Sequence, residues 1–193
     1  MIVGVLALQG DFAEHIAVLR SLGIEGREVR LPQHLDKVEG LIIPGGESTT
    51  LSRLMSIYGL REPVIRMAQQ GKAIWGTCAG MIMMAREITE EDPSPLGLMD
   101  IGVQRNAFGR QVDSFEQDLE IEGFDHTPFH AVFIRAPAIR RVGKAVKVLA
   151  SLSADWPVAV RQGNLLATAF HPELTRDSRF HRYFLNLVPA PEE

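Results

Sequence analysis

Three short apolar runs in the first half of the chain each lead through a turn into a segment of helical periodicity, and that alternation constrains the fold most. Residues 2–8, beginning Ile2-Val3-Gly4-Val5-Leu6, form a continuous apolar run, the pattern of a strand covered on both faces. Asp11 is placed to cap the next segment, where Phe12, Ile16, Leu19 and Leu22 recur with helical spacing before Gly23 stops it. A second strand lies in residues 38–44 around Leu41-Ile42-Ile43. Ser48 and Thr49 then open a helix carrying Leu51, Leu54, Met55 and Ile57. Residues 63–70 give another helix, ended by Gly71, and Ala73-Ile74-Trp75 a third strand before Met81-Ile82-Met83-Met84-Ala85. This alternation predicts an α/β fold with a mostly parallel central sheet and helices on both faces.

The second half has a different texture. Residues 96–119 are mixed polar and glycine-containing, with a turn at Asn106-Ala107-Phe108-Gly109-Arg110. Short strands are predicted at residues 132–135, 146–149, 157–160 and 165–170 without long helices between them, and Gln162-Gly163-Asn164 has the look of a hairpin turn. Antiparallel additions to the parallel core follow from that spacing. Residues 177–187 close the chain as a helix with Phe180, Tyr183, Phe184 and Leu187 on one face. No repeat or linker interrupts the 193 residues, so residues 1–193 read as a single domain with a frayed tail at 188–193.

Composition narrows the function classes. Twenty basic against 24 acidic residues give a net charge of −4, which speaks against a nucleic-acid binder. No apolar stretch approaches the ~20 residues of a membrane helix, and the apolar start at Met1 reads as a strand, not a signal peptide. A single cysteine rules out an internal disulfide framework and suits a reducing, cytoplasmic setting. The six histidines show no paired metal-ligand spacing, so no metal is expected.

That one cysteine sits in Gly76-Thr77-Cys78-Ala79-Gly80, between a predicted strand and a predicted helix. A small-residue turn of this kind resembles a nucleophile elbow, and a thiol at a helix N-terminus is in a setting that favours the thiolate. The alternative is a buried cysteine acting as a small hydrophobe. A cysteine nucleophile needs a base and the base an orienting group. His171-Pro172-Glu173 directly follows the last predicted strand and can present an imidazole and a carboxylate to one place; alone, it is also an ordinary strand-exit turn. Pro44-Gly45-Gly46-Glu47-Ser48-Thr49-Thr50 is a third strand-to-helix turn whose glycines can turn N–H groups toward an oxyanion. It lacks the lysine a P-loop requires.

Taken together, the order Gly-Gly turn, Cys elbow, His-Pro-Glu resembles the class I, triad-type glutamine amidotransferases, which are flavodoxin-like in fold. Leu8-Gln9-Gly10, the segment from Arg105-Asn106-Ala107-Phe108-Gly109-Arg110-Gln111 to Phe115, Phe133-Ile134-Arg135-Ala136-Pro137 and Phe170-His171-Pro172-Glu173-Leu174 narrow the resemblance to the glutaminase subunits of pyridoxal 5'-phosphate synthase. The resemblance implies hydrolysis of L-glutamine through a glutamyl thioester, with no cofactor, and ammonia delivery to a synthase subunit. It implies Cys78, His171 and Glu173 as the triad, Gly46 and Ala79 as oxyanion donors, and Gly46, Glu47, Ser48, Arg105, Ile134 and Arg135 around the substrate. An arginine suits the α-carboxylate of glutamine and Glu47 its α-ammonium. Alternatives are a glutaminase subunit serving another synthase, such as that for imidazole glycerol phosphate, a cysteine peptidase with a similar elbow, or a non-catalytic flavodoxin-like binding module.

Overall fold

A computed structural model describes residues 1–107 and 114–190. Its first half alternates as the apolar runs predict: β1 (Ile2–Leu6), α1 (Phe12–Ser21), β2 (Glu25–Val29), β3 (Gly40–Ile43), α2 (Ser48–Ile57), α3 (Arg61–Gln69), β4 (Ala73–Thr77) and α4 (Ala79–Met84). Strands follow: β5 (Ala85–Ile88), β6 (Met99–Gln104), β7 (Ser114–Leu119), β8 (Phe129–Ile134), β9 (Ala138–Val142), β10 (Lys147–Ser151), β11 (Pro157–Gln162) and β12 (Leu165–Thr168), before the closing helix α5 (Arg179–Leu185).

Seven strands form the main sheet in the order β10-β11-β12-β4-β3-β1-β2. β2, β1, β3, β4 and β12 run parallel, while β11 and β10 are antiparallel additions at one edge. The parallel part has the flavodoxin-like order, with a reversal of winding between β1 and β3. The β11–β12 hairpin closes at Gly163-Asn164, where Gly163 takes φ +58°. β5-β6-β9 form a separate three-stranded sheet, and β7-β8 a two-stranded one.

Strand pleating decides which helix covers which face. Trp75 on β4 meets His15 of α1 and Phe180, His181 and Phe184 of α5, so α1 and α5 share a face. The next residue, Gly76, points the other way and abuts Gly80 and Met84 of α4. Both faces are thus covered, and the strands between them are wholly buried. Val188 is also buried, its side chain close over Gly40 of β3, so the end of the chain is anchored further along than a frayed tail from residue 188 would allow. Residues 191–193 lie outside the described part. Parallel pairing brings the carboxyl ends of β1, β3, β4 and β12 to one rim, and the Gln9, Gly45-Gly46, Cys78 and His171 motifs leave from that rim, while Arg105 and Arg135 follow β6 and β8 of the smaller sheets.

Candidate active site

The elbow is a strained and tightly packed turn. Cys78 holds φ 48° and ψ −104°, a region that non-glycine residues seldom occupy and that clusters at functional sites. Its N–H donates to the Thr168 carbonyl of β12 at 2.8 Å, which fixes the turn against the neighbouring strand. The flanking glycines have a steric cause. A Cβ on Gly80 would lie 1.9 Å from the Ile43 carbonyl oxygen of β3, and one on Gly76 would lie 2.5 Å from the Gly80 backbone. α4 can press onto the sheet only without those side chains. The Cys78 thiol is nearly buried, with Sγ 3.7 Å from the Ile134 carbonyl oxygen.

His171 leaves the end of β12 and is held by its N–H to the Val132 carbonyl at 2.9 Å. Its Nδ1 lies 2.7 Å from Glu173 Oε1 and 3.3 Å from Asp11 Oδ2, and the ring borders the cleft together with Cys78. Burial opposes a charge on this imidazole, yet Asp11, Cys78 and Glu173 outweigh it and hold the ring well above the ordinary histidine value. Glu173 is raised by its own burial, with the His171 hydrogen bond pulling the other way. Asp11 does stand at the N-cap of α1, but its side chain makes no capping bond. It turns to His171 instead, and that bond lowers its pKa. Asp11, His171 and Glu173 are the one cluster among the described residues offering three ligand atoms to a metal within 4.8 Å of one another. A cation there would have to displace the Nδ1 proton between the two carboxylates.

The Gly45-Gly46 turn is clamped from two sides. Gly45 accepts from the Asp11 N–H at 3.3 Å, and the Glu47 N–H donates to Gln9 Oε1 at 2.9 Å. A Cβ on Gly45 would come within 2.4 Å of the His171 ring, so this strand exit passes close to the imidazole because it is glycine. Glu47 caps α2, accepting from the N–H groups of Thr49 and Thr50, and it pairs with Arg105 at 3.2 Å. Burial works against its charge, but the Thr50 and Thr49 bonds bring its pKa down to about 2. With three of about four acceptor positions taken, it keeps one for an incoming cation.

These groups line one cleft of about 490 Å³. Cys78, Ala79 and His171 border it, as do all six residues expected around a substrate: Gly46, Glu47, Ser48, Arg105, Ile134 and Arg135. Arg135 takes φ +45°, a second strained backbone position in the same cleft. Asp11, Ile82 and Asn106 also line it without having been singled out for the site, and Gln9 supports its glycine turn. In the amino-acid pattern Asp11 reads as a helix cap, and Gln9 stands within Leu8-Gln9-Gly10 with no local mark of its role. Phe108 to Asp113, the rest of the Arg105 motif, lie outside the described residues. Another cleft, near Glu120, Phe124 and His126, holds no comparable set of groups.

Comparison with known proteins gives the family. Residues 5–189 match the model of the SNO glutamine amidotransferase family. The pyridoxal 5'-phosphate synthase subunit PdxT of Herpetosiphon aurantiacus is 60% identical over 190 residues, 97% of this chain and 100% of that protein. The same-named subunit of a Thermus thermophilus strain is 58% identical over 189 residues, 97% of each chain. A solved structure described as a glutamine amidotransferase superposes with a TM-score of 0.91 at 55% identity, covering 97% of this chain and 99% of the other. PurLQS from Thermotoga maritima shares the fold, at 18% identity and a TM-score of 0.71. Motif order, sheet order and full-length similarity converge, and the chain belongs to the SNO glutamine amidotransferase family.

Proposed function

We propose that the protein hydrolyses L-glutamine to L-glutamate and ammonia and hands the ammonia to a synthase subunit that builds pyridoxal 5'-phosphate, working as a single glutaminase domain in the cytoplasm. The observation that carries this reading is the meeting of Cys78 and His171 in one cleft with every residue expected around a glutamine, and Glu173 buried behind the His171 ring at 2.7 Å from Nδ1. The names of the full-length relatives supply the synthase.

The chemistry follows from the groups present. Cys78 passes its thiol proton to His171 Nε2 and attacks the side-chain amide carbon. As the C–N bond breaks, the His171 ring, which holds its proton firmly, passes it to the departing nitrogen, and ammonia leaves. The γ-glutamyl thioester on Cys78 is then attacked by water, whose proton returns to His171, and glutamate departs with the thiol restored. Glu173 holds Nδ1–H so that Nε2 is the working nitrogen. Ala79, the first residue of α4, has an N–H without a helical acceptor, and with Gly46 N–H it takes the oxyanion. Arg105 or Arg135 takes the α-carboxylate, and the open position on Glu47 the α-ammonium. No helix among the described residues is long and apolar enough to cross a membrane. The net charge of −4 fits a protein partner better than a nucleic acid.

The test is ammonia release from glutamine by the purified chain, with and without the synthase subunit. Release that rises with the synthase and vanishes in Cys78→Ala supports the reading; release unchanged in Cys78→Ala refutes it.

A further inference from the structure

Behind the triad lies a buried polar line that the proposed mechanism does not use. Glu173 presents Oε1 to His171, while Oε2 makes no satisfactory hydrogen bond and faces His15 Nε2 at 3.4 Å. His15 Nε2 is also 3.3 Å from Thr77 Oγ1, and its Nδ1 is 3.0 Å from His181 Nε2. The Nδ1 of His181 has no hydrogen-bond partner among the described residues. Both rings are wholly inaccessible to water, and Trp75 packs edge-on against each. Burial holds His15 well below the ordinary histidine value and His181 down to about 4, so both are neutral at physiological pH.

A neutral imidazole carries one N–H, so only two assignments fit the His15–His181 contact. If His15 donates through Nδ1, then His181 Nδ1 is a buried N–H with no acceptor. His15 Nε2 would then point a lone pair at a buried carboxylate. If His181 Nε2 donates, the atom left over is a lone pair, which is tolerated more readily than an orphaned N–H. His15 then carries its proton on Nε2, facing Oε2 of Glu173. The second assignment relieves both faults together.

Resting on the Cys78–His171–Glu173 reading, we propose that His15 is a positioning residue for the reaction: its Nε2–H, shared with Thr77, secures the second carboxylate oxygen of Glu173, and His181 fixes the tautomer that makes this possible. The carboxylate is thereby kept charged and turned so that Oε1 stays on His171. A side chain with two χ angles beyond Cβ would otherwise have one oxygen free to swing. The groups facing Glu173 are His171, His15 and, by charge, Asp11; those facing His15 are Glu173, His181, Thr77, Trp75 and, by charge, His171.

The tautomer is read directly in the full chain with ¹⁵N-labelled histidine, by two-bond ¹H–¹⁵N correlation near neutral pH. A neutral His15 protonated on Nε2 is expected; protonation on Nδ1 overturns the inference. Kinetics with the synthase subunit present give the second arm. His15→Leu should lower kcat roughly tenfold, as loss of a hydrogen bond to a charged group does, with KM unchanged and the acid limb of the kcat–pH profile moved upward. His15→Gln, which restores an N–H near the Nε2 position, should recover most of both. Wild-type kcat and pH profile in His15→Leu, or equal losses in both variants with an unmoved acid limb, overturn it. Cys78→Ala assayed alongside separates the two levels. Ammonia release surviving there breaks the triad reading, whereas a dead Cys78→Ala beside an unaffected His15→Leu breaks this inference alone.

Discussion

Replacing His181 with phenylalanine should flatten the acid side of the stability curve. The wild-type ring lies in the core, edge-on to Trp75 at 4.9 Å, and burial lowers its pKa from 6.5 to about 4. Between those values the unfolded chain binds a proton that the folded protein refuses, so stability increases with pH there. The contribution is complete above 6.5 and is lost as pH falls toward about 4. At about 1.36 kcal/mol per pH unit, that interval of about 2.5 pH units is worth roughly 3 kcal/mol, a large share of the 5–15 kcal/mol typical of a domain. His15, also lowered, acts with the same sign. Glu173 and His171 are raised, so the folded state holds their protons more tightly than the unfolded chain and acid favours it at those sites. Those opposing contributions are present in both proteins, so the loss of the His181 ring itself dominates the difference between the curves. The assay is urea unfolding at a series of pH values from 7 to 4 for both proteins. The wild type should lose about 3 kcal/mol more than His181→Phe across that range, whatever the offset between the curves at pH 7. Parallel curves would refute a neutral, buried His181.

Other outcomes follow from the same geometry. His171→Ala should be nearly inactive and Glu173→Gln should retain a remnant, losses of roughly 10⁶ and 10⁴ in rate if the triad behaves as that of an unrelated serine protease does; full activity in Glu173→Ala would remove it from the site. Arg105→Ala frees Glu47 from its ion pair and removes a cationic wall of the cleft, so KM for glutamine should rise at least tenfold or so with a smaller change in kcat; steady-state kinetics check it, and Lys at this position should rescue only in part. Gly46 takes φ +142°, and a Cβ there would meet Gln9 Oε1 at 2.1 Å, so Gly46→Ala should dislodge the Gln9–Glu47 clamp. The cost should be about 10²–10³ in kcat, the worth of one oxyanion donor, while Cys78 still labels with a glutamine-like electrophile. Ammonia release by the chain alone should be low and rise as synthase is titrated in; full activity alone would refute activation by the partner.

The strands that the amino-acid pattern showed plainly are those buried on both sides, because burial leaves continuous apolar text. β1, β3 and β4 are of this kind. β2 escaped because it is the sheet's edge, and Glu25, Arg27 and Glu28 read as surface. β5, β6 and β9 escaped for another reason: their charges are paired with one another, Arg141 of β9 reaching Glu87 of β5 and Asp100 of β6. Such cross-strand pairs stabilise a small sheet, yet along the chain they look like loop.

The site divides in the same way. Its contact layer was legible because each part is a strand-exit motif with a local constraint: a glycine that must approach a carbonyl, a cysteine at positive φ, a proline after the histidine. A parallel sheet then gathers the exits of β1, β3, β4 and β12 on one rim without any further information in the motifs, while Arg105 and Arg135 come from the ends of β6 and β8 in the smaller sheets. The layer behind has no such local mark. His15 lies mid-helix on α1 and His181 mid-helix on α5, 166 residues apart, each spaced as an ordinary core position would be. Asp11 occupies a helix-cap position and does something else. What joins them is that α1 and α5 cover the same face of β4 over Trp75, a fact of topology rather than of pattern. Apolar side chains would have filled that space with less penalty than two buried imidazoles with one unpaired nitrogen. Their presence directly behind the carboxylate of Glu173 is therefore better explained by what they do for that carboxylate than by packing.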